Sequence, residues 1–248
     1  MEAHLDVSLA AFLGEPRALV LGGGRTHPFE QGCDELAAIV AGTGVEVEVI
    51  DDPGELGRLD HELLVVDAMW WSMVDRPDDP HCGEWARRID DLARRAIEDH
   101  VRLGRGILAV HTAVVCFDDW PVWGELLGGT WSWGRSWHPP FTGVPVHVSV
   151  ATDRHEIVRG LGDFDIVDEV YCDLGFVVDV EPLAWAAVDG VEHPLVWARE
   201  LDSGSRVVVD LLGHDHRSMT HLAHHELLRR SVAWLLDRDI VQDGEAAA

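Results

Sequence analysis

The stretch RGILAVHTA, Arg105–Ala113, decides how this chain is read. Ile107 to Val110 is a short continuous apolar run, as a strand buried on both faces requires, and Gly104 and Gly106 end the helix that precedes it. The run stops at His111. The small residues Thr112 and Ala113 follow, which predicts a tight turn before the next helix. In doubly wound α/β folds ligands bind beyond the carboxyl ends of such strands, so His111 faces a crevice. A single histidine there can equally serve to hydrogen-bond a loop. Its meaning depends on what else reaches the same edge.

Upstream, RALVL (Arg17–Leu21) reads as a first strand running into Gly22, Gly23 and Gly24, then Arg25, Thr26 and His27. The dinucleotide-binding spacing GxGxxG fails at its third glycine, where His27 stands, so the glycines are assigned to a tight turn approaching a ligand. A helix is predicted over Glu30–Ala41, a half-covered strand over Val45–Ile50 and a buried strand over Leu63–Val66, ending at Asp67. After an acidic, proline-containing loop, one amphipathic helix is predicted over Gly83–Leu103, with Trp85, Ile89, Leu92, Ala96 and Ile97 on its inner face. This βαβ alternation implies a parallel sheet.

Downstream, a short helix opens at Asp118, Asp119 and Trp120 and closes at Gly128 and Gly129. Five of the 11 tryptophans lie between Trp120 and Trp137. Trp123 suits the core. Trp131, Trp133 and Trp137 alternate with Ser, Gly, Arg and His and suit a partly exposed wall against a sugar, whose surface is alternately apolar and hydroxylated. Further strands are predicted over Val144–Val150, Phe164–Tyr171, Leu183–Val188, Leu195–Arg199 and Arg206–Leu212, with a short helix at Glu156–Arg159 and a final amphipathic helix over Leu222–Leu236. The expected organisation is a single α/β domain spanning residues 1–248, with an ordered core of about 17–237.

The charge balance narrows the partners. Forty-five acidic residues face 19 arginines and no lysine, a formal net charge of −26. Such a surface repels phosphate backbones and anionic lipids, so neither nucleic acid nor membrane is expected as a partner. A neutral or cationic small molecule fits better. Cys33, Cys82, Cys116 and Cys172 are scattered without a CxxC pair, as in a cytoplasmic protein with reduced thiols. No apolar run approaches the roughly 20 residues of a membrane helix. Homo-oligomerisation is compatible with the sequence, but no residue pattern selects it.

Two apolar strands thus end in histidine, at His111 and at Gly213-His214-Asp215, with Asp168 and Glu169 after another. In one parallel sheet these collect on one rim. Two imidazoles among carboxylates support proton transfer, and the same groups can ligate a divalent metal such as zinc. HExxH and related metal motifs are absent, so spacing alone leaves both open.

Taken together, RGILAVHTA, FDDWPVWGELLGG (Phe117–Gly129), His138-Pro139, DRHEIVRGL (Asp153–Leu161), DEVY (Asp168–Tyr171), HPLVWARE (His193–Glu200) and SRVVVDLLGHD (Ser205–Asp215) with the following His224-His225 helix make the chain resemble the ThuA-like (trehalose utilisation) proteins. These belong to the class I glutamine amidotransferase-like superfamily, and the resemblance runs from about Arg17 to Asp237. It implies a flavodoxin-like, doubly wound and mostly parallel sheet, helices on both faces, extra strands in the C-terminal half, and a role in carbohydrate metabolism. An amidotransferase of this superfamily would carry a nucleophilic cysteine where His111 stands, and Cys116 lies five residues too late to replace it. His214-Asp215-His216 answers the superfamily's later His-x-Glu. Glutaminase activity is therefore not expected.

The functional expectation is an enzyme, a hydrolase or isomerase, acting on a sugar or keto-sugar. His111 and His214 would be acid and base or metal ligands, with Asp215 or Glu169 orienting an imidazole. Trp70, Trp71, Trp120, Trp137, His138 and Tyr171 would shape the sugar pocket. The alternative is a non-catalytic carbohydrate-binding or regulatory protein on an amidotransferase fold that has lost its nucleophile.

Overall fold

Runs of Val, Leu, Ile and Ala without polar alternation make the centre of the sheet. In the computed structural model, which describes residues 14–240, these runs are β1 (Arg17–Leu21), β3 (Leu63–Val66), β4 (Gly106–Val110) and β11 (Arg206–Asp210). The more polar β2 (Glu46–Ile50) pairs with β1 and forms one sheet edge. The nine-stranded sheet runs β2-β1-β3-β4-β11 and continues through four more strands. Its first five strands are mutually parallel. The remaining four, β10 (Val191–Glu200), β9 (Pro182–Val188), β6 (Val146–Val150) and β7 (Phe164–Ile166), extend it in antiparallel fashion. A separate pair, β5 (Gly129–Thr130) with β8 (Gly175–Phe176), lies outside that sheet.

This order places the crevice. The chain leaves β1 in one direction to form β2 and in the other to form β3 and then β4. Right-handed crossovers therefore put the helix Phe29–Ala41 on one face and Asp91–Arg102 on the other. Phe29–Ala41 packs with His216–Met219 and Leu222–Leu235, whereas Asp91–Arg102 packs on the 3-10 turn Pro53–Arg58. The switch point falls between β1 and β3, and loops beyond the carboxyl ends of β1, β3, β4 and β11 surround it.

The strand expected over Leu195–Arg199 is longer, Val191–Glu200, and two further elements differ more. The helix predicted over Gly83–Leu103 is two pieces, Cys82–Trp85 and Asp91–Arg102. Between them the chain is pulled straight: Arg87 donates its backbone N–H to Trp71 (2.9 Å), and the Asp90 carboxylate caps Ala93 N (2.8 Å), starting a new helix. Leu92, expected inside, is exposed. The strand predicted over Phe164–Tyr171 stops at Ile166, opposite Val146 where its partner begins, and beyond it the Asp168 carboxylate accepts from Glu169 N (2.7 Å).

The tryptophans divide by depth. Trp71, Trp123 and Trp197 are fully buried, and Trp123 and Trp197 donate their indole N–H groups to Ala113 O (2.9 Å) and Leu127 O (2.8 Å). Among the described residues no helix is long and apolar enough to cross a membrane.

Candidate metal centre

Three histidines and one glutamate meet beyond the carboxyl edge of the parallel strands. His111 follows β4 directly and takes a φ of +47°, an uncommon backbone state for a residue with a Cβ and the sign of an elbow. His214 follows β11 after Gly213, whose φ is +117°. A Cβ on Gly213 would sit 2.9 Å from Met219 and 3.0 Å from Val110, so only glycine lets this loop lie so close to β4. His27 arrives from the turn after β1. There Gly24 passes so near Met69 that a Cβ would fall 2.5 Å from its carbonyl oxygen. Glu169 comes from the irregular segment after β7.

Glu169 Oε2 lies 3.3 Å from His214 Nδ1, 3.6 Å from His111 Nε2 and 3.7 Å from His27 Nε2. His27 Nε2 and His111 Nε2 are 3.2 Å apart, and all four atoms lie within 4.8 Å of one another. The ring tautomers sharpen this. His111 Nδ1 donates to Leu211 O (2.8 Å), so its Nε2 presents a lone pair. Thr26 Oγ1 lies 3.2 Å from Met69 S and 3.1 Å from His27 Nδ1; in the tautomer whose Nδ1–H donates to this hydroxyl, His27 Nε2 carries a lone pair as well. Two imidazole nitrogens and a carboxylate oxygen thus face one another, an arrangement that a shared proton or a metal ion satisfies. Despite their proximity, neither Glu169 Oε2 nor His214 Nδ1 has a hydrogen-bond partner, though both are buried. A tetrahedral zinc shell has ligand-to-ligand edges of about 3.3–3.4 Å. Most of these separations are close to that, and imidazole with carboxylate is a donor set that zinc accepts.

The electrostatics agree on a cation at this point. Burial works to raise the Glu169 pKa, but His111, His214 and His27 outweigh it and hold the carboxyl well below the usual range. For His111, burial opposes charge, yet Glu169 and Asp168 lift its pKa above the ordinary value. His27 goes the other way: burial dominates and lowers it. In the protein alone, a proton on His111 supplies that positive charge.

Around the four lie aromatic and polar groups. Tyr171 OH is 3.1 Å from His111 Nε2, and His138 Nδ1 is 3.5 Å from Glu169 Oε1, the oxygen turned away from the cluster. Trp131 stands 5.1 Å from the Tyr171 ring and 6.2 Å from that of His138, and Phe141 lies 4.3 Å from the His214 ring.

Of the residues expected at the site, His111, His214, Glu169, His138 and Tyr171 come together. Others do not. Asp215 caps the next helix at Arg217 N (2.8 Å) and pairs with the Arg217 guanidinium instead of orienting an imidazole. Trp70, Trp71 and Trp120 are buried in the core and do not border the cleft beside the cluster. Trp70 instead supports the glycine turn, donating its indole N–H to Gly22 O (2.9 Å). Trp137 is 41% exposed, but its indole N–H goes to Asp173 (2.8 Å). His27 was not selected from the sequence; the signal was the histidine that broke the glycine motif.

Size does not locate this site. A cavity of about 700 Å³ lies at the opposite edge of the sheet, bordered by Arg17, Glu62, Gly106 and Asp237, away from the cluster. The cluster itself adjoins an open cleft of about 600 Å³ along Gly23, Gly24, His27, Phe29, Gln31 and Asp34.

The family model described as trehalose utilisation, ThuA, matches residues 17–235. The chain belongs to the ThuA family. A ThuA-like protein from Parabacteroides merdae has a similar structure, with a TM-score of 0.73, 18% identity and 92% of each chain covered. The fold also resembles part of a cold-adapted β-galactosidase from Rahnella sp. R3, with a TM-score of 0.60 and 12% identity over 92% of this chain and 32% of that one. A glutamine amidotransferase from Thermotoga maritima matches with a TM-score of 0.52 and 9% identity, over 91% of this chain and all of the other. No curated protein matches the chain by sequence. At these identities the structures establish a shared ThuA-like and amidotransferase-like α/β fold.

Proposed function

We propose that this ThuA-family chain is an enzyme that acts on a sugar or keto-sugar with the help of a divalent metal, zinc in type, held among His27, His111, His214 and Glu169. The convergence of four donor atoms on one point, two of them, Glu169 Oε2 and His214 Nδ1, buried without a hydrogen-bond partner, carries this reading. Bound there, such a metal polarises a carbonyl or activates a water. The chain's own groups set the rest. Tyr171, whose pKa burial pushes well above its ordinary value, stays protonated and offers a hydrogen bond to an oxygen beside His111. Trp131 and Phe141 supply apolar faces near the cluster, suited to the C–H face of a pyranose. The acidic surface favours a substrate without phosphate. Family membership and the trehalose utilisation description support carbohydrate as the substrate class.

The test is elemental analysis of the purified chain, with sugar and keto-sugar turnover measured before and after chelation. Stoichiometric metal and turnover that chelation abolishes and zinc restores is the expected result. Turnover that ignores chelation would overturn the metal-assisted reading, and metal binding without turnover would favour a carbohydrate-binding protein.

A further inference from the structure

His27 differs from the other three members of the cluster in how it is held. The buried carboxylate of Asp168 accepts from Glu169 N (2.7 Å), Gly213 N (2.8 Å), His214 N (3.3 Å) and the Ser218 hydroxyl. One side chain thereby ties together the two loops that bring Glu169 and His214. Behind it, Ser218 Oγ lies 3.1 Å from His224 Nδ1, and His224 Nε2 lies 3.1 Å from Asp210. Ser218, His224 and Asp210 have no solvent exposure. Asp210 also accepts from Leu212 N (3.0 Å), fixing the turn whose Leu211 carbonyl holds His111 Nδ1. His111, His214 and Glu169 therefore share one buried network that starts at the end of β11.

His27 is outside that network. Its Nδ1 meets only the adjacent Thr26 hydroxyl. Thr26 itself is strained, a β-branched residue at φ +83°, in a turn with Gly23 at +85° and Gly24 at +113°. His27 Nε2 is 3.7 Å from Glu169 Oε2, about as far as His111 Nε2 at 3.6 Å and farther than His214 Nδ1 at 3.3 Å. His27 lines the open cleft of about 600 Å³, and behind it His27, His111 and His214 together border a smaller pocket.

We infer that His111, His214 and Glu169 form the fixed face of the metal centre, and that His27 is a displaceable fourth ligand whose departure opens the coordination position through which a substrate oxygen enters from the cleft. This rests on the metal-binding reading above. Catalytic zinc sites keep three protein ligands and one exchangeable position, whereas structural sites are closed by four. Here the exchangeable position is guarded by a ligand on a strained turn.

The experiment is metal titration of the full chain by competition with a chromophoric chelator, for the native protein and for Glu169→Gln, Asp168→Asn and His27→Ala. Asp168→Asn should weaken binding about 10- to 100-fold, as loss of a supporting partner does. Glu169→Gln should weaken it at least as much. His27→Ala should cost less than about tenfold, smaller than either. In cobalt-loaded native protein, azide should shift the visible spectrum, and in His27→Ala it should do so at lower concentration, with added imidazole restoring the native spectrum. His27→Gln, checked for a native circular dichroism spectrum, guards against misfolding. If the native chain takes up no metal, the functional reading itself fails. If the native chain binds metal but His27→Ala loses it as severely as Glu169→Gln, or azide leaves the native spectrum unchanged, the displaceable-ligand assignment alone is overturned.

Discussion

The rings of His111 and His214 lie 5.6 Å apart, nearly perpendicular at 81°, although 102 residues separate them in the chain. The cause is the pairing of β4 with β11, in which Val110 sits opposite Asp210. Adjacent parallel strands lie about 4.8 Å apart; His111 follows Val110 directly, and the turn through Gly213, too close to Val110 for any other residue, brings His214 back beside it. Glu169 reaches the same point by a different route, through the hydrogen bonds that Asp168 makes to the β11 loop.

Metal binding should release protons, and affinity should fall as the solution is acidified. Glu169 and Asp168 lift the His111 pKa above its ordinary value against the effect of burial. Below that pKa a proton occupies the Nε2 position that the metal needs; above it the position is free. Calorimetric titration with zinc in buffers of different ionisation enthalpy should give heats that vary with the buffer near neutral pH. Heats that do not depend on the buffer would contradict proton displacement.

Cys116→Ser should leave turnover within about twofold of native, because the thiol has no access and no tendency to ionise. It is buried, 3.1 Å from Ala68 O and 3.4 Å from Trp70 N, and burial pushes its pKa up to about 12. Iodoacetamide should likewise fail to inactivate the native protein by modifying Cys116. Inactivation that the serine variant escapes would assign the cysteine a role.

The parallel strands were legible because burial on both faces leaves an unbroken apolar run, and Arg17–Leu21 and Leu63–Val66 have the bounds expected from sequence. The broken helix was not legible. Inward-facing spacing continues from Trp85 to Ile89 across the break, and nothing local reveals that Arg87 bonds to Trp71. At the site, His111 and His214 followed from strand ends, which periodicity can find. His27 stands six residues beyond β1 on a glycine turn, where no period operates. Trp70, Trp71 and Trp120 lie in the core, a placement the sequence does not reveal because indole suits both a core and a sugar face and only the packing decides.

Sugar binding should change tryptophan fluorescence mainly through Trp131. Its ring lies near Tyr171 and His138 and is only partly buried, while Trp71, Trp123 and Trp197 are sealed in the core. Trp131→Phe should therefore remove most of the ligand-induced signal. A signal that survives undiminished would place the sugar elsewhere.

Asp67→Asn should stabilise the metal-free protein at pH 8 and change the way its stability depends on pH. Asp67 ends β3, fully enclosed, with the Cys33 thiol 3.6 Å from its carboxylate as a weak donor. Burial pushes its pKa up to about 7, with His111 pulling it partly back. In the unfolded chain the same carboxyl ionises near pH 4. Between about pH 4 and pH 7 the folded state thus holds the proton that the unfolded state has released. Where the folded state binds more protons, stability falls as pH rises. The loss is complete above about pH 7, and a difference of about three pH units bounds it at roughly 4 kcal/mol. Asparagine has about the same volume, keeps an oxygen for the thiol and does not titrate. Urea unfolding of chelator-treated native and variant proteins at pH 5 and pH 8 should show the variant gaining on the native protein as pH rises. Parallel changes in the two midpoints would mean that Asp67 ionises normally in the fold.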